Sequence, residues 1–248
     1  CFHQLDHALL AGRLAERWGG STPALRPHEA VVYAIGHHDA GWSELDRRPV
    51  FDPGTGAPHT YMTHDLDSAL GVADRSTRRV ARRDPYAGWL VGRHFLSFHE
   101  RSPEARDWVE SQKRRLGELL AAAGDRVGSA DMEPASREAN FDWLQLLDAV
   151  SLGLCQVRPA WEGRPMAADY RGGKVGYSYR TSTPGERLVE GRLDPWPFAQ
   201  ERLTDAIPAR LLEGRTWADD AGLQRAWGAA RTVDVEIALA PAGSGRRA

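Results

Sequence analysis

Asp148 stands in the middle of one of the most apolar stretches of the chain, Glu138 to Val157, among Phe141, Trp143, Leu144, Leu147, Leu152 and Cys155. The stretch has a helical period. Asp148 lies four beyond Leu144, seven beyond Phe141 and four before Leu152, so its carboxylate falls on the apolar face. Burying an unpartnered carboxylate costs several kcal/mol. This helix can therefore join a core only where that core supplies a cation or strong hydrogen bonds. No lysine lies nearby in sequence, since Lys113 and Lys174 are the only two in the chain.

Three more helix-like stretches carry histidine in the same way. His7 shares a face with Leu10, Ala11 and Leu14, His38 with Val31 and Ile35, and His94 with Leu90, Val91 and Phe98. His38 is followed by Asp39, which puts an imidazole and a carboxylate side by side, the donors a divalent metal takes. One such histidine is more often a hydrogen-bonded core residue than a ligand. Three of them and Asp148 on four separate helices, with an adjacent His-Asp pair, point to a buried metal centre. His37 then faces away, and His3, His28 and His99 are surface or supporting groups.

Along the chain, the first two thirds read as helices. One runs through Leu5 to Trp18 and stops at Gly19-Gly20; the next opens at Pro27-His28 and breaks at Gly41. Residues 46–63, rich in Pro and Gly, read as a loop. Helices follow over Leu66–Arg83, from Asp84-Pro85 past Phe98, over Glu104–Ala123 and over Glu138–Val157. Beyond Pro159, glycines punctuate short segments, and Val233, Val235, Ile237 and Leu239 alternate as in a strand. Residues 165–240 read as β-rich with one short helix near Asp219–Ala230, and Gly243–Ala248 as a frayed tail. The expected architecture is mainly α: a metal-binding helical domain over 1–160 with a small β-rich appendage over 161–248 packed on it.

A formal net charge of −2 gives no footprint for nucleic acid or an anionic membrane. No stretch approaches the ~20 apolar residues of a membrane span. Two cysteines, Cys1 and Cys155, make no disulfide framework, which suits a reducing cytoplasm.

The order His7, His38-Asp39 with Gly41 two further on, His94 and Asp148 resembles the HD-domain superfamily of metal-dependent enzymes, over about residues 3–157. Gln4-Leu-Asp-His7-Ala-Leu-Leu-Ala-Gly12, His37-His-Asp-Ala-Gly-Trp42 and Asp194-Pro-Trp-Pro-Phe198 look more closely like an uncharacterised bacterial family of unknown function, which suggests that the β-rich tail belongs with the helical core. The HD resemblance implies an HD-like helical bundle with two divalent metals per chain. His7, His38, Asp39 and Asp148 would hold the first, and Asp39, His94 and a further histidine, His64 in preference to His59, the second. Iron is favoured, with Mn, Zn or Ni as alternatives.

Two reactions follow from that resemblance, both on a small molecule: oxidation with O2 at a di-iron centre, slightly favoured, or phosphoester hydrolysis by a metal-activated water. Many family members carry Lys where this chain has Trp42, which is either a pocket wall or core packing. Arg47, Arg48 and Arg93 are the cations left to meet an anionic substrate, with Arg93 placed in the pocket. Asp39, Glu44 and Asp46 are candidate catalytic groups, the last two as general base or hydrogen-bond acceptors. A third reading is a metal-binding protein without catalysis. The β-rich tail either covers the cleft mouth or forms a homodimer surface.

Overall fold

Helix α1 (Gln4–Arg17) has no side-chain cap of its own at His3. Its first amides instead donate to a carboxylate from elsewhere: Gln4 N and Leu5 N bond the two oxygens of Asp46 at 3.1 and 3.2 Å, which also sets a negative charge at the positive end of the helix. Helix α2 (His28–His37) crosses α1 where Gly12 meets Gly36; a Cβ on Gly12 would lie 2.7 Å from the Gly36 Cα. A 3-10 turn, Ala40–Trp42, follows and leads into the short α3 (Ser43–Arg47). Asp65 and Asp84 cap α4 (Leu66–Arg83) and α5 (Pro85–His99), accepting from Ser68 N at 2.7 Å and Ala87 N at 2.8 Å. Asp74 on α4 ties down α6 (Arg106–Gly124) by accepting from Trp108 Nε1, Gln112 and Arg115. Helix α7 (Pro134–Cys155) runs through the middle, against α1, α2 and α5.

The computed structural model describes residues 1–19, 25–124, 127–156, 160–162, 166–170, 173–185 and 187–243. Val157, Gly20, Gly172 and residues 244–248 of the expected frayed tail lie outside them.

The expected loop over 46–63 begins inside α3 and contains a two-stranded hairpin, β1 (Phe51–Asp52) with β2 (Ala57–Pro58). Asp52 builds its turn, accepting from Gly54 N at 2.8 Å and Thr55 Oγ1 at 2.8 Å. Helix α7 starts at Pro134, earlier than the apolar pattern indicated, because proline suits a first turn and the amphipathic signal begins a turn later.

A larger correction concerns fold class. The chain is not a mainly α, HD-like bundle with a small appendage. Among the described residues the C-terminal part forms a six-stranded mixed sheet in the order β3-β5-β6-β8-β7, with β4 also on β5. The strands are β3 (Ala160–Glu162), β4 (Met166–Tyr170), β5 (Gly173–Gly185), β6 (Leu188–Asp194), β7 (Leu203–Leu211) and β8 (Arg231–Pro241), with helix α8 (Asp220–Ala229) between the last two. β6 pairs parallel with β8, and the other pairs are antiparallel. The reason is burial: Val189, Leu193, Ile207, Val235, Ile237 and Leu239 pack into the same hydrophobic cluster as Leu10, Leu14, Leu147 and Leu154 of the helices. The sheet is thus a structural layer. It is also pinned to α1 through Arg13 and Arg17, both on Asp205 at 3.0 and 3.1 Å, and through Cys1, which exchanges backbone hydrogen bonds with Arg210.

The segment 212–230 grips the loop that borders the cleft. Trp227 Nε1 donates to Arg47 O at 3.0 Å, Gln224 Nε2 to Pro49 O at 2.8 Å and Trp217 N to Gly56 O at 2.6 Å.

Candidate metal centre

Four elements bring His7, His38, Asp39, His94 and Asp148 together. The three histidines are 1, 1 and 3% exposed and Asp39 is 8% exposed, while the Asp148 side chain, 14% exposed, stands at the edge of the cluster. His7 comes from the first turns of α1. His38 and Asp39 lie at the end of α2, held there because Gly41 lets the next turn sit on α4, where Gly41 N donates to Ser76 Oγ at 2.8 Å. His94 comes from α5 and Asp148 from α7.

Hydrogen bonds fix the histidine tautomers. Ser151 Oγ donates to the Asp148 carbonyl at 2.9 Å and so accepts from His7 Nδ1 at 3.0 Å. His38 Nδ1 donates to Ile35 O at 2.8 Å. Both rings therefore carry their proton on Nδ1 and turn a lone pair on Nε2 into the cluster. What those lone pairs face is carboxylate. His7 Nε2 is 2.9 Å from Asp39 Oδ2, and His38 Nε2 is 3.2 Å from Asp148 Oδ1 and 3.9 Å from Asp39 Oδ2. His94 Nε2 is 3.6 Å from Asp148 Oδ2. His38 Nε2 and His94 Nδ1 have no hydrogen-bond partner, although both are buried. Lone pairs facing carboxylates repel one another unless a cation stands between them.

That cation is either a proton or a metal. Burial alone would lower the His38 pKa, but the carboxylates of Asp39 and Asp148 outweigh it and raise it to about 9: without a metal, His38 takes a proton. Burial would raise Asp148, yet the surrounding histidines, His38 first, hold it well below the usual carboxylate range. Burial pushes His94 down to about 4, so it stays a neutral donor. One donor atom from each residue of two overlapping triads, His7-His38-Asp39 and His38-His94-Asp148, lies within 4.8 Å of the others in its triad. Donors ~2.1 Å from one ion stand about 3 to 4 Å apart. The residues fit a divalent ion in donor type, spacing and unsatisfied valence.

A family model described as "Protein of unknown function (DUF3891)" matches residues 1–214. The chain belongs to the DUF3891 family. No curated protein and no solved structure matches it. The matched span contains all five clustered residues and runs from α1 through β7, so it includes most of the sheet as well as helices α1 to α7.

The other residues singled out from the sequence lie elsewhere in this DUF3891 chain. His64 is not in the cluster; its ring packs against Trp42 and His59, with centroids 5.3 and 5.2 Å away. Glu44 pairs with Arg79 at 2.7 Å, and Asp46 holds the start of α1, its pKa raised by burial. Arg93 lies over the Phe141 ring, 4.3 Å from its centroid. His37 turns away, its Nδ1 on Tyr33 O at 3.1 Å. Trp42 is buried and forms a cavity wall. Two functional groups were missed. Ser151 was legible in principle, being three after Asp148 on the same helix face; Gln4, which lines the cavity, left no signal beyond its place in the Gln4–Gly12 motif.

His38, Asp39, His94 and Asp148 line a cavity of about 250 Å³, walled by Trp42, Tyr61, Met62, Phe95, Phe98 and Leu152. Among the described residues, no helix is long and apolar enough to cross a membrane.

Proposed function

We propose that this DUF3891 protein is a metalloenzyme with one divalent ion on His7, His38, Asp39, His94 and Asp148, acting on a small molecule in the adjoining cavity. The observation that carries this reading is the pair of buried carboxylates facing locked imidazole lone pairs, with no Lys or Arg paired to either carboxylate among the described contacts. The order of the donors along the chain resembles that of the HD-domain superfamily. One ion is proposed, not the two that resemblance implies, because His64 stays apart.

Oxidation with O2 is favoured over phosphoester hydrolysis. None of the three arginines singled out for a phosphate lines the cavity: Arg47 Nε donates to Ser43 O at 3.0 Å, Arg48 pairs with Asp220 at 3.5 Å and Arg93 lies over Phe141. An ion with two accessible oxidation states, iron foremost, would relay electrons from the substrate, which is oxidised, to O2, which is reduced. The protein's own part is to hold the donors in register through Ser151 and Ile35, to balance the ion's charge with Asp39 and Asp148, and to keep water from the reacting face with Trp42 and Phe95.

The test is metal analysis of protein purified without air, followed by its absorption spectrum on exposure to O2. About one redox-active ion per chain and a spectral change support the proposal, and His38→Ala and Asp148→Ala should each abolish metal binding. Metal retained in both variants refutes the site. A redox-inert ion with turnover of p-nitrophenyl phosphate overturns the oxidation reading and leaves a hydrolase.

A further inference from the structure

Large apolar side chains exposed to solvent are few among the described residues: Val50, Tyr61, Met62, Phe98 and Leu211. Three of the five, Tyr61, Met62 and Phe98, border the cavity over the metal-site cluster. Val50 borders a second cavity of about 270 Å³ that shares Gln4, Trp42, Tyr61 and Leu152 with the first. Scattered apolar residues on a surface need no explanation, but a ring of them around one opening does. Met62 is 70% exposed and Phe98 58%, so neither serves the core.

Charge narrows what such an opening admits. Among the described residues neither cavity is lined by Lys or Arg, and the carboxylates there are Asp39, Asp46 and Asp148. With Asp39 and Asp148 balancing the charge of a divalent ion, an anionic head group would find no further positive charge from Lys or Arg in the lining. Gln4 is the carboxamide that lines both cavities, and it makes no side-chain hydrogen bond among the described residues. The space is adequate, since an apolar cavity of about 150 Å³ holds a benzene molecule.

We infer that the site takes a neutral small molecule with an apolar, ring-sized body, seated under Tyr61, Met62 and Phe98 with a hydroxyl or carbonyl oxygen toward the clustered donors. The inference rests on the metal reading above. The body packs on Trp42, Phe95 and Leu152, and Gln4 meets its remaining polar group. The second cavity extends the same tract past Tyr61, so bulkier bodies reach toward Val50.

Titration calorimetry on the Zn²⁺-loaded protein tests this with three probes. Benzohydroxamic acid, uncharged in solution at pH 7 and at most a monoanion once it chelates the ion, offers oxygen donors and a ring. Acetohydroxamic acid offers the same donors without the ring, and phenyl phosphate offers the ring on a dianion. Benzohydroxamic acid should bind at least about tenfold more tightly than either of the others. Met62→Ser and Phe98→Ser, both at exposed positions, should each weaken it about threefold or more and leave acetohydroxamic acid unchanged. Equal affinity for the two hydroxamic acids overturns the apolar body, and phenyl phosphate binding as tightly as benzohydroxamic acid overturns neutrality. Failure of the metal reading looks different: Zn²⁺ itself then fails to bind, or binds His38→Ala and Asp148→Ala as well as the unaltered protein.

Discussion

Replacing Gly41 by alanine should loosen the protein and weaken the metal centre together. The 3-10 turn Ala40–Trp42 rests directly on α4. A Cβ at position 41 would stand 2.2 Å from the Val72 carbonyl oxygen, 2.7 Å from Ser76 Oγ and 2.8 Å from Ser76 N. Two of these three atoms are backbone within an 18-residue helix, so no side-chain rotation relieves the contact. Turn and helix must part by roughly 1 Å, straining the bonds from Gly41 N to Ser76 Oγ and from Arg75 Nε to Gly41 O. Overpacking of this kind costs about 1–3 kcal/mol, and the backbone contacts place it at the upper end. For a chain of this size each kcal/mol lowers Tm by about 2–4 °C, so a fall of about 5–10 °C is expected. Thermal unfolding of the metal-free protein, followed by circular dichroism, isolates this effect from metal binding. Gly117→Ala in α6 is the control: nothing lies within 4 Å of its Cβ, and it should stabilise by up to ~1 kcal/mol. Because Asp39 directly precedes the turn, Gly41→Ala should also bind metal at least about tenfold more weakly. A Gly41→Ala protein melting within about 1 °C of the parent would refute the reasoning.

Metal-free stability should depend on pH in two opposed ways. The folded pKa of His38 is about 9, above its ordinary 6.5, so its contribution is complete below pH 6.5 and is lost as pH rises through 9. For His94 the folded value is about 4, so its contribution is present above pH 6.5 and is lost as pH falls toward 4. Tm should therefore fall on both sides of neutrality, and His38→Asn should flatten the alkaline limb, a point checked by melting curves across pH. Ser151→Ala, which removes the group that orients His7, should weaken metal binding about 10- to 100-fold while His7 remains present; competition with a chelator measures this.

The helices that carry the site were legible because each buries a stripe with a regular period, and a His or Asp on such a stripe stands out. The short hairpin over 51–58 was hidden within a loop rich in Pro and Gly, since its pairing depends on the Asp52 turn and on the hold of Trp217. The sheet was underestimated for a similar reason. β6 and β8 are parallel neighbours with β7 and α8 between them in sequence, and no local pattern announces such a pairing. His64 fitted an expected spacing, but spacing does not say which way a ring turns, and it packs on Trp42.

The sequence alone pointed to His7, His38, Asp39, His94 and Asp148 as residues to be brought together, with His64 added from the family resemblance, because an unpaired charge or imidazole on an apolar face has a free-energy cost that some partner must offset. The tertiary structure decided the rest. Close approach at Gly12 and Gly41 sets the helices so that the donors converge, Ser151 and Ile35 choose which nitrogen each histidine presents, and the apolar rim around the opening is assembled from residues far apart in the chain. Those are properties of distances between segments, which periodicity within a segment does not encode.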